Sequence, residues 1–223
     1  MKPSFNRHTL VWVRPECRVK VATQITDDAT RAHVGAWLAA DRPLVVARQT
    51  CGKSISDTIA AGLALPPAQG KRRIAFSVSV HDIARHTPPL LLADAVVHAP
   101  RSWQAALAGL DAAAADIDIE LRVFGSLAWQ ALSGLPYLTP RSDIDLLWHP
   151  HSHAQLQQGI ALLARWELEG GLRADGEVLF RENSAVSWRE WATLKPGDDQ
   201  RVLVKRETSA ELVAARELLE MLE

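Results

Sequence analysis

The segment Ser142-Asp143-Ile144-Asp145-Leu146-Leu147 alternates carboxylates with apolar side chains, a period of two that an extended strand sorts onto two faces. In such a strand Asp143 and Asp145 point one way while Ile144 and Leu146 point into a core. Seventeen residues earlier stands Phe124-Gly125-Ser126. Glu120 to Phe124 reads as a short strand running into that glycine, and Leu127 to Leu132 has helical spacing built from good helix formers. The chain order is therefore strand, glycine turn, helix and then a strand with two carboxylates on one face.

An isolated Asp-x-Asp is usually a solvated strand face, and here the context changes its meaning. Two carboxylates on one face suit a hard cation, which takes oxygen ligands from one or two acidic residues and completes its shell with phosphate and water. Mg2+ is inferred from ligand hardness and availability, with Mn2+ as the alternative. Gly125 lets backbone amides approach a phosphate, Ser126 adds a hydroxyl donor, and the helix that follows presents its positive end. The combination reads as a polyphosphate cradle facing a metal site, the equipment of phosphoryl transfer. Such chemistry needs a further carboxylate as ligand or proton acceptor. Leu172 to Phe180 suits a returning strand and carries Asp175 and Glu177. Spacing alone does not choose between the two, and a turn at Asp175-Gly176 with a solvated Glu177 is the competing arrangement. Lys205, closing the apolar run Val202-Leu203-Val204, and Arg141, directly before the carboxylate strand, are the leading cations for phosphate.

Length and composition allow one or two domains, since 223 residues with 48% hydrophobic content can bury a sizeable core. Twenty-five basic residues against 26 acidic ones create no overall positive field, which argues against nonspecific binding to nucleic acid or an anionic membrane. Cys17 and Cys51 are too few for a disulfide framework or a thiolate zinc cage. The first residues lack the apolar stretch of a signal peptide and no apolar run is long enough to span a bilayer, so a cytoplasmic location is expected. Leu10–Val13, Val19–Val21, Leu44–Ala47 and Ile74–Val78 read as strands, and Asp27 opens a helix through Ala39. Thr87-Pro88-Pro89 interrupts the pattern, and helices around Trp103–Ala115 follow. The expected organisation is α+β: an N-terminal α/β module over residues 1–88 and a catalytic domain over 89–223, with a helical tail from Ala210.

Three further signals carry less. Ala47 to Ser54 ends like a P-loop, but Ala47 replaces the first glycine and the phosphate-wrapping turn is not encoded. His149, His151 and His153 alternate as metal ligands do, yet Pro150 makes the segment a loop and no acidic or cysteine partner lies nearby. Trp188 and Trp191 share a helical face and are assigned to the core rather than to base stacking.

The glycine-serine turn, the Asp-x-Asp strand and the later acidic strand resemble the polymerase-beta-type nucleotidyltransferases, whose palm is a mixed sheet backed by helices. The strings Val123 to Gln130, Ser142 to Leu147, Asp175-Gly176-Glu177 and Ala185 to Trp191, with Arg7 to Trp12 and Pro43 to Arg48, are more specifically similar to the malonate decarboxylase holo-acyl-carrier-protein synthases, which are phosphoribosyl-dephospho-CoA transferases. Thr9 departs from that pattern, which has an acidic residue there. The resemblance implies transfer of the prosthetic group from 2'-(5''-triphosphoribosyl)-3'-dephospho-CoA to a serine of the acyl carrier protein subunit, with release of pyrophosphate. It implies that Asp143 and Asp145 hold magnesium, that Gly125 and Ser126 seat the pyrophosphate, and that Asp175 or Glu177 receives the serine proton. The competing expectations are a nucleotidyltransferase that uses an ordinary nucleoside triphosphate, and a noncatalytic module that binds a carrier protein.

Overall fold

The computed structural model describes residues 5–49, 57–170, 172–194 and 200–222, so the Thr50–Ser54 part of the P-loop-like segment and Cys51 lie outside the described residues. The chain divides into two units, Met1–Pro89 and Leu90–Glu223.

In the first unit, β1 (Leu10–Val13) leads through a proline turn into α1 (Arg18–Ala22) and α2 (Asp28–Ala39), followed by β2 (Leu44–Val46), β3 (Thr58–Ala64), β4 (Arg73–Ser79) and β5 (Ile83–Thr87). The strands form a five-stranded sheet in the order β4-β3-β2-β1-β5, and the neighbours pair antiparallel throughout. On β4 the pattern is strict: Ile74, Phe76 and Val78 are buried and the residues between them are not. That is the alternation of a sheet with one face on a core. α2 starts where Asp27 accepts a hydrogen bond from the Thr30 backbone N–H at 2.9 Å, an N-cap that satisfies one of the first-turn donors.

Val19–Val21, expected as a strand, is helical. Its valines do not divide into faces as a strand requires: Val19 is exposed, whereas Val21 and Ala22 are buried as neighbours beside α2. Packing against another helix overrides β-propensity in so short a segment.

The second unit holds β6 (Leu90–Leu91), α3 (Leu92–Val96), α4 (Arg101–Ala115), β7 (Arg122–Phe124), α5 (Gly125–Ser133), β8 (Ile144–Trp148), α6 (His153–Gly170), β9 (Ala174–Phe180), β10 (Ser184–Ser187), α7 (Trp188–Ala192), β11 (Arg201–Lys205), β12 (Ala210–Ala214) and α8 (Ala215–Glu220). The seven strands run in the order β12-β11-β10-β9-β8-β7-β6, antiparallel except for β8 and β9, which lie parallel. A parallel pair requires a crossover, and α6 supplies it. The molecule is thus α+β, with a mixed sheet backed by helices in the second unit.

One face of this sheet is the core face. Ile144, Leu146 and Trp148 of β8 and Ala174, Val178 and Phe180 of β9 join Leu107 and Leu110 of α4, Leu156, Leu163 and Trp166 of α6 and Leu218 of α8 in one buried cluster. Full burial of a Leu, Val or Phe side chain is worth about 1.5–3 kcal/mol, so this cluster anchors the strands that carry the carboxylates. α6 comes close to β8 because residue 159 is glycine: a Cβ there would lie 2.5 Å from the Trp148 ring. The start of α6 is secured by Ser152, whose Oγ accepts from the Gln155 N–H at 3.2 Å while Gln155 Oε1 accepts from the His151 N–H at 2.6 Å.

The tail corrects the expected helix. Ala210–Ala214 forms β12, paired along its length with β11, and only Ala215–Glu220 is helical. The Arg206 N–H donates to the Ser209 carbonyl at 2.9 Å and closes the hairpin, so a pairing with the neighbouring strand wins over local helical spacing.

Candidate active site

β7 ends at Phe124, and Phe124 pairs with Asp145 across the β7–β8 ladder. The next residue, Gly125, turns the chain into α5 with φ +63, a left-handed conformation that glycine adopts without the Cβ penalty. A Cβ at this position would lie 1.9 Å from Asp145 Oδ2 and 2.7 Å from its Cγ. The absent side chain is therefore the space that the Asp145 carboxylate occupies. The N-cap residue, Phe124, makes no side-chain capping bond, and the N–H groups of the first turn of α5, with the Ser126 hydroxyl beside them, suit an anion.

On the other side of β8, Asp145 pairs with Asp175 in the parallel ladder with β9. Residues paired in register point to the same face, about 4.8 Å apart. Ile144, Leu146, Ala174 and Val178 take the core face, which leaves Asp145, Asp175 and Glu177 on the opposite one. The close approach of β8 and β9 depends on Gly176, whose φ is +131 and where a Cβ would stand 1.9 Å from the Leu146 carbonyl oxygen. Asp175 Oδ1 accepts the Gly176 N–H at 2.8 Å.

Asp143 stands just before β8 on the same parity as Asp145, with its side chain 34% exposed and Oδ1 3.8 Å from Arg173 Nε. Arg141 is exposed in the turn closed by the Ser142 N–H donating to the Thr139 carbonyl. Lys205 ends β11, and its Nζ donates to Glu177 Oε1 at 2.9 Å; the Glu177 side chain is 6% exposed and that of Lys205 32%. Sequence spacing left Asp175 and Glu177 as alternatives, and the geometry gives them different surroundings. Asp175 is the in-register neighbour of Asp145, whereas Glu177 is a buried partner for a lysine two residues further along β9.

Asp145 and Asp175 suit a cation that takes one or two carboxylates and fills its remaining positions with phosphate and water. Among the described residues no group of three or more His, Cys, Asp or Glu side chains is gathered closely enough to hold a metal ion by itself. His149, His151 and His153 form no such group among the described residues, and His153, at the start of α6, hydrogen-bonds through Nε2 to the Leu219 carbonyl at 2.8 Å. Trp188 and Trp191 are both buried in the core cluster. No helix among the described residues is long and apolar enough to cross a membrane.

A glycine-led helix start beside in-register carboxylates suits group transfer on a phosphate-bearing substrate. Comparison with known proteins gives the class its family. Residues 6–89 match the phosphoribosyl-dephospho-CoA transferase MdcG N-terminal domain and residues 91–216 match the C-terminal domain. Phosphoribosyl-dephospho-CoA transferases of Xanthomonas campestris pv. campestris (strain 8004) and Xanthomonas euvesicatoria pv. vesicatoria (strain 85-10) are 44% and 42% identical to it over 207 residues, 93% of each chain. That of Bradyrhizobium diazoefficiens is 35% identical over 184 residues, 82% of this chain and 80% of its own. No solved structure matches the chain. The chain belongs to the phosphoribosyl-dephospho-CoA transferase family, and it is an enzyme.

Proposed function

We propose that this enzyme attaches the phosphoribosyl-dephospho-CoA group of 2'-(5''-triphosphoribosyl)-3'-dephospho-CoA to a serine of the malonate decarboxylase acyl carrier protein subunit, in the cytoplasm, through a palm of the polymerase-beta type. The observation that carries the reading is the in-register pair Asp145–Asp175 beside the start of α5, where Gly125 leaves room for the Asp145 carboxylate. In the reaction the serine oxygen bonds to the α-phosphorus, the bond from that phosphorus to the β-phosphate oxygen breaks, and pyrophosphate leaves with the electron pair.

Each residue has a task that its position suits. Backbone amides at the start of α5 and the Ser126 hydroxyl hold the phosphates that depart. Asp175 receives the serine proton and, as the in-register neighbour of Asp145, would add a further carboxylate to the cation site. Lys205, held by Glu177, and Arg141 offset negative charge on the triphosphate. Asp143 and Asp145 would hold Mg2+, or Mn2+ in its place, which supplies charge neutralisation at the phosphate oxygens. Phosphoryl transfer asks for little covalent work from the protein, so alignment and charge account for most of the expected rate.

The test incubates the enzyme with Mg2+, triphosphoribosyl-dephospho-CoA or ATP, and apo carrier subunit, then weighs the carrier. A gain equal to the whole phosphoribosyl-dephospho-CoA unit supports the proposal. An adenylyl increment from ATP, or no increment with retained carrier binding, overturns it.

A further inference from the structure

Asp175 sits at a weak point of its strand. β10 is paired with β9 only from Phe180 back to Glu177, where Ser187 ends it and α7 begins. The Ile144 N–H donates to the Arg173 carbonyl at 2.8 Å, so the backbone groups of Arg173 and Asp175 face β8. Those of Ala174 then face the other way, into the gap that β10 leaves. Beyond Asp175 comes Gly176 with its unusual φ. Asp175 itself is held on the β8 side, and what its strand lacks at this point is a partner strand on the other side.

Two side chains fill the gap. Glu167 Oε1, from α6, accepts the Ala174 N–H at 2.6 Å, and Arg189 Nη2, from α7, donates to the Ala174 carbonyl at 2.6 Å. Glu167 and Arg189 are themselves an ion pair, and the guanidinium carbon lies 4.7 Å from the centroid of the buried Trp188 ring. Both main-chain groups of the residue preceding Asp175 are thus held by charged partners from two helices, where a strand would otherwise have held them. Charge-assisted hydrogen bonds are shorter and stronger than neutral ones, which suits them to this substitution. Across the same gap Glu190 Oε1 accepts the Leu203 N–H at 2.8 Å, two residues before Lys205 on β11. The segment Trp188-Arg189-Glu190 therefore replaces lost ladder bonds on both sides of the place where β10 leaves the sheet.

We propose that the Glu167–Arg189 pair is a positioning device for the Asp175 carboxylate, acting through the Ala174 backbone. The proposal rests on the reading that Asp175 serves the transfer reaction. Its effect is expected on the chemical step and on cation binding, with substrate affinity largely spared. Removing groups that orient a ligating or catalytic side chain typically costs about 10–100-fold in metal affinity or activity.

The full-length enzyme is compared with Glu167→Ala, Glu167→Gln, Arg189→Lys and Asp175→Asn. Three quantities are read: amide hydrogen exchange in a peptide containing Ala174, Mn2+ binding by electron paramagnetic resonance with the metal alone, and the kcat and KM of prosthetic-group transfer. Glu167→Ala should speed exchange at Ala174, weaken Mn2+ binding and lower kcat about 10–100-fold, with KM changed by less than about twofold. Glu167→Gln keeps an acceptor for the Ala174 N–H and guards against a folding failure, and it should recover part of the kcat and of the exchange protection. Faster exchange in Glu167→Ala with wild-type kcat and Mn2+ binding overturns the proposal, because the pair is then structural only. The same result alongside an inactive Asp175→Asn leaves the role of Asp175 standing. Wild-type kcat and Mn2+ binding in Asp175→Asn overturns that role, and the proposal with it.

Discussion

Replacing Gly125 by alanine inserts one methyl group where the Asp145 carboxylate sits. The new Cβ would start 1.9 Å from Oδ2, so the carboxylate must retreat by roughly 1.5 Å to reach ordinary contact. Misplacement of about 1 Å can cost on the order of 10²-fold in rate, and a drop in kcat of at least about 10²-fold is expected. The substitution also places alanine at φ +63, a left-handed position that costs roughly 1–2 kcal/mol, or about 2–8 °C in Tm for a chain of this size. Gly134 provides the control. It has φ +71 and nothing within 4 Å of an added Cβ, so Gly134→Ala bears similar backbone strain without touching a carboxylate. The two variants should therefore share a loss of Tm while only Gly125→Ala loses transfer, measured as single-turnover labelling of the carrier by mass spectrometry. Equal activity in the two would refute the reasoning that Asp145 depends on the space beside Gly125.

Gly176→Ala forces a Cβ to 1.9 Å from the Leu146 carbonyl oxygen, a backbone atom that cannot swing away, so it should lower Tm further than Gly125→Ala in calorimetry. Lys205→Ala removes the ammonium 2.9 Å from the buried Glu177 carboxylate and should cost about 1–3 kcal/mol in urea unfolding while weakening triphosphate binding; adding Glu177→Gln should restore stability but not affinity. In the first unit, the hydrogen bond from Lys20 Nζ at 2.7 Å, helped by Cys17, holds the Asp82 carboxyl below its usual range. A depressed folded value means that its contribution is whole above the unfolded pKa of about 3.9 and is lost as pH falls through the folded value. The Tm difference between wild type and Asp82→Asn should therefore narrow as pH drops from about 5 to about 2, and a constant difference would contradict the assignment.

The carboxylate strand and the helix after Gly125 were legible because each signal is local. Alternation of Asp143, Asp145 and the apolar residues between them encodes two faces, and a glycine between a strand and a helical run encodes a turn. The choice between Asp175 and Glu177 was not legible, since it depends on the register of β9 against β8 across an 18-residue helix. Nor was the Glu167–Arg189 pair, whose members are 22 residues apart and meet only because β10 stops at Ser187. Val19–Val21 and Ala210–Ala214 misled for the same reason: in each, a contact from a distant or adjoining element decided between helix and strand. In the motif from Ala185 to Trp191, the tryptophans were readable as core, but Arg189 and Glu190 had no visible partners in the sequence.

The most direct measurement is anomalous diffraction from crystals grown with Mn2+ and a nonhydrolysable analogue of triphosphoribosyl-dephospho-CoA. The account predicts a manganese peak bridging the carboxylates of Asp143 and Asp145 to the triphosphate, with the terminal phosphates at the start of α5 and Asp175 open toward the α-phosphorus. A bound analogue whose triphosphate and metal lie away from these carboxylates would contradict it.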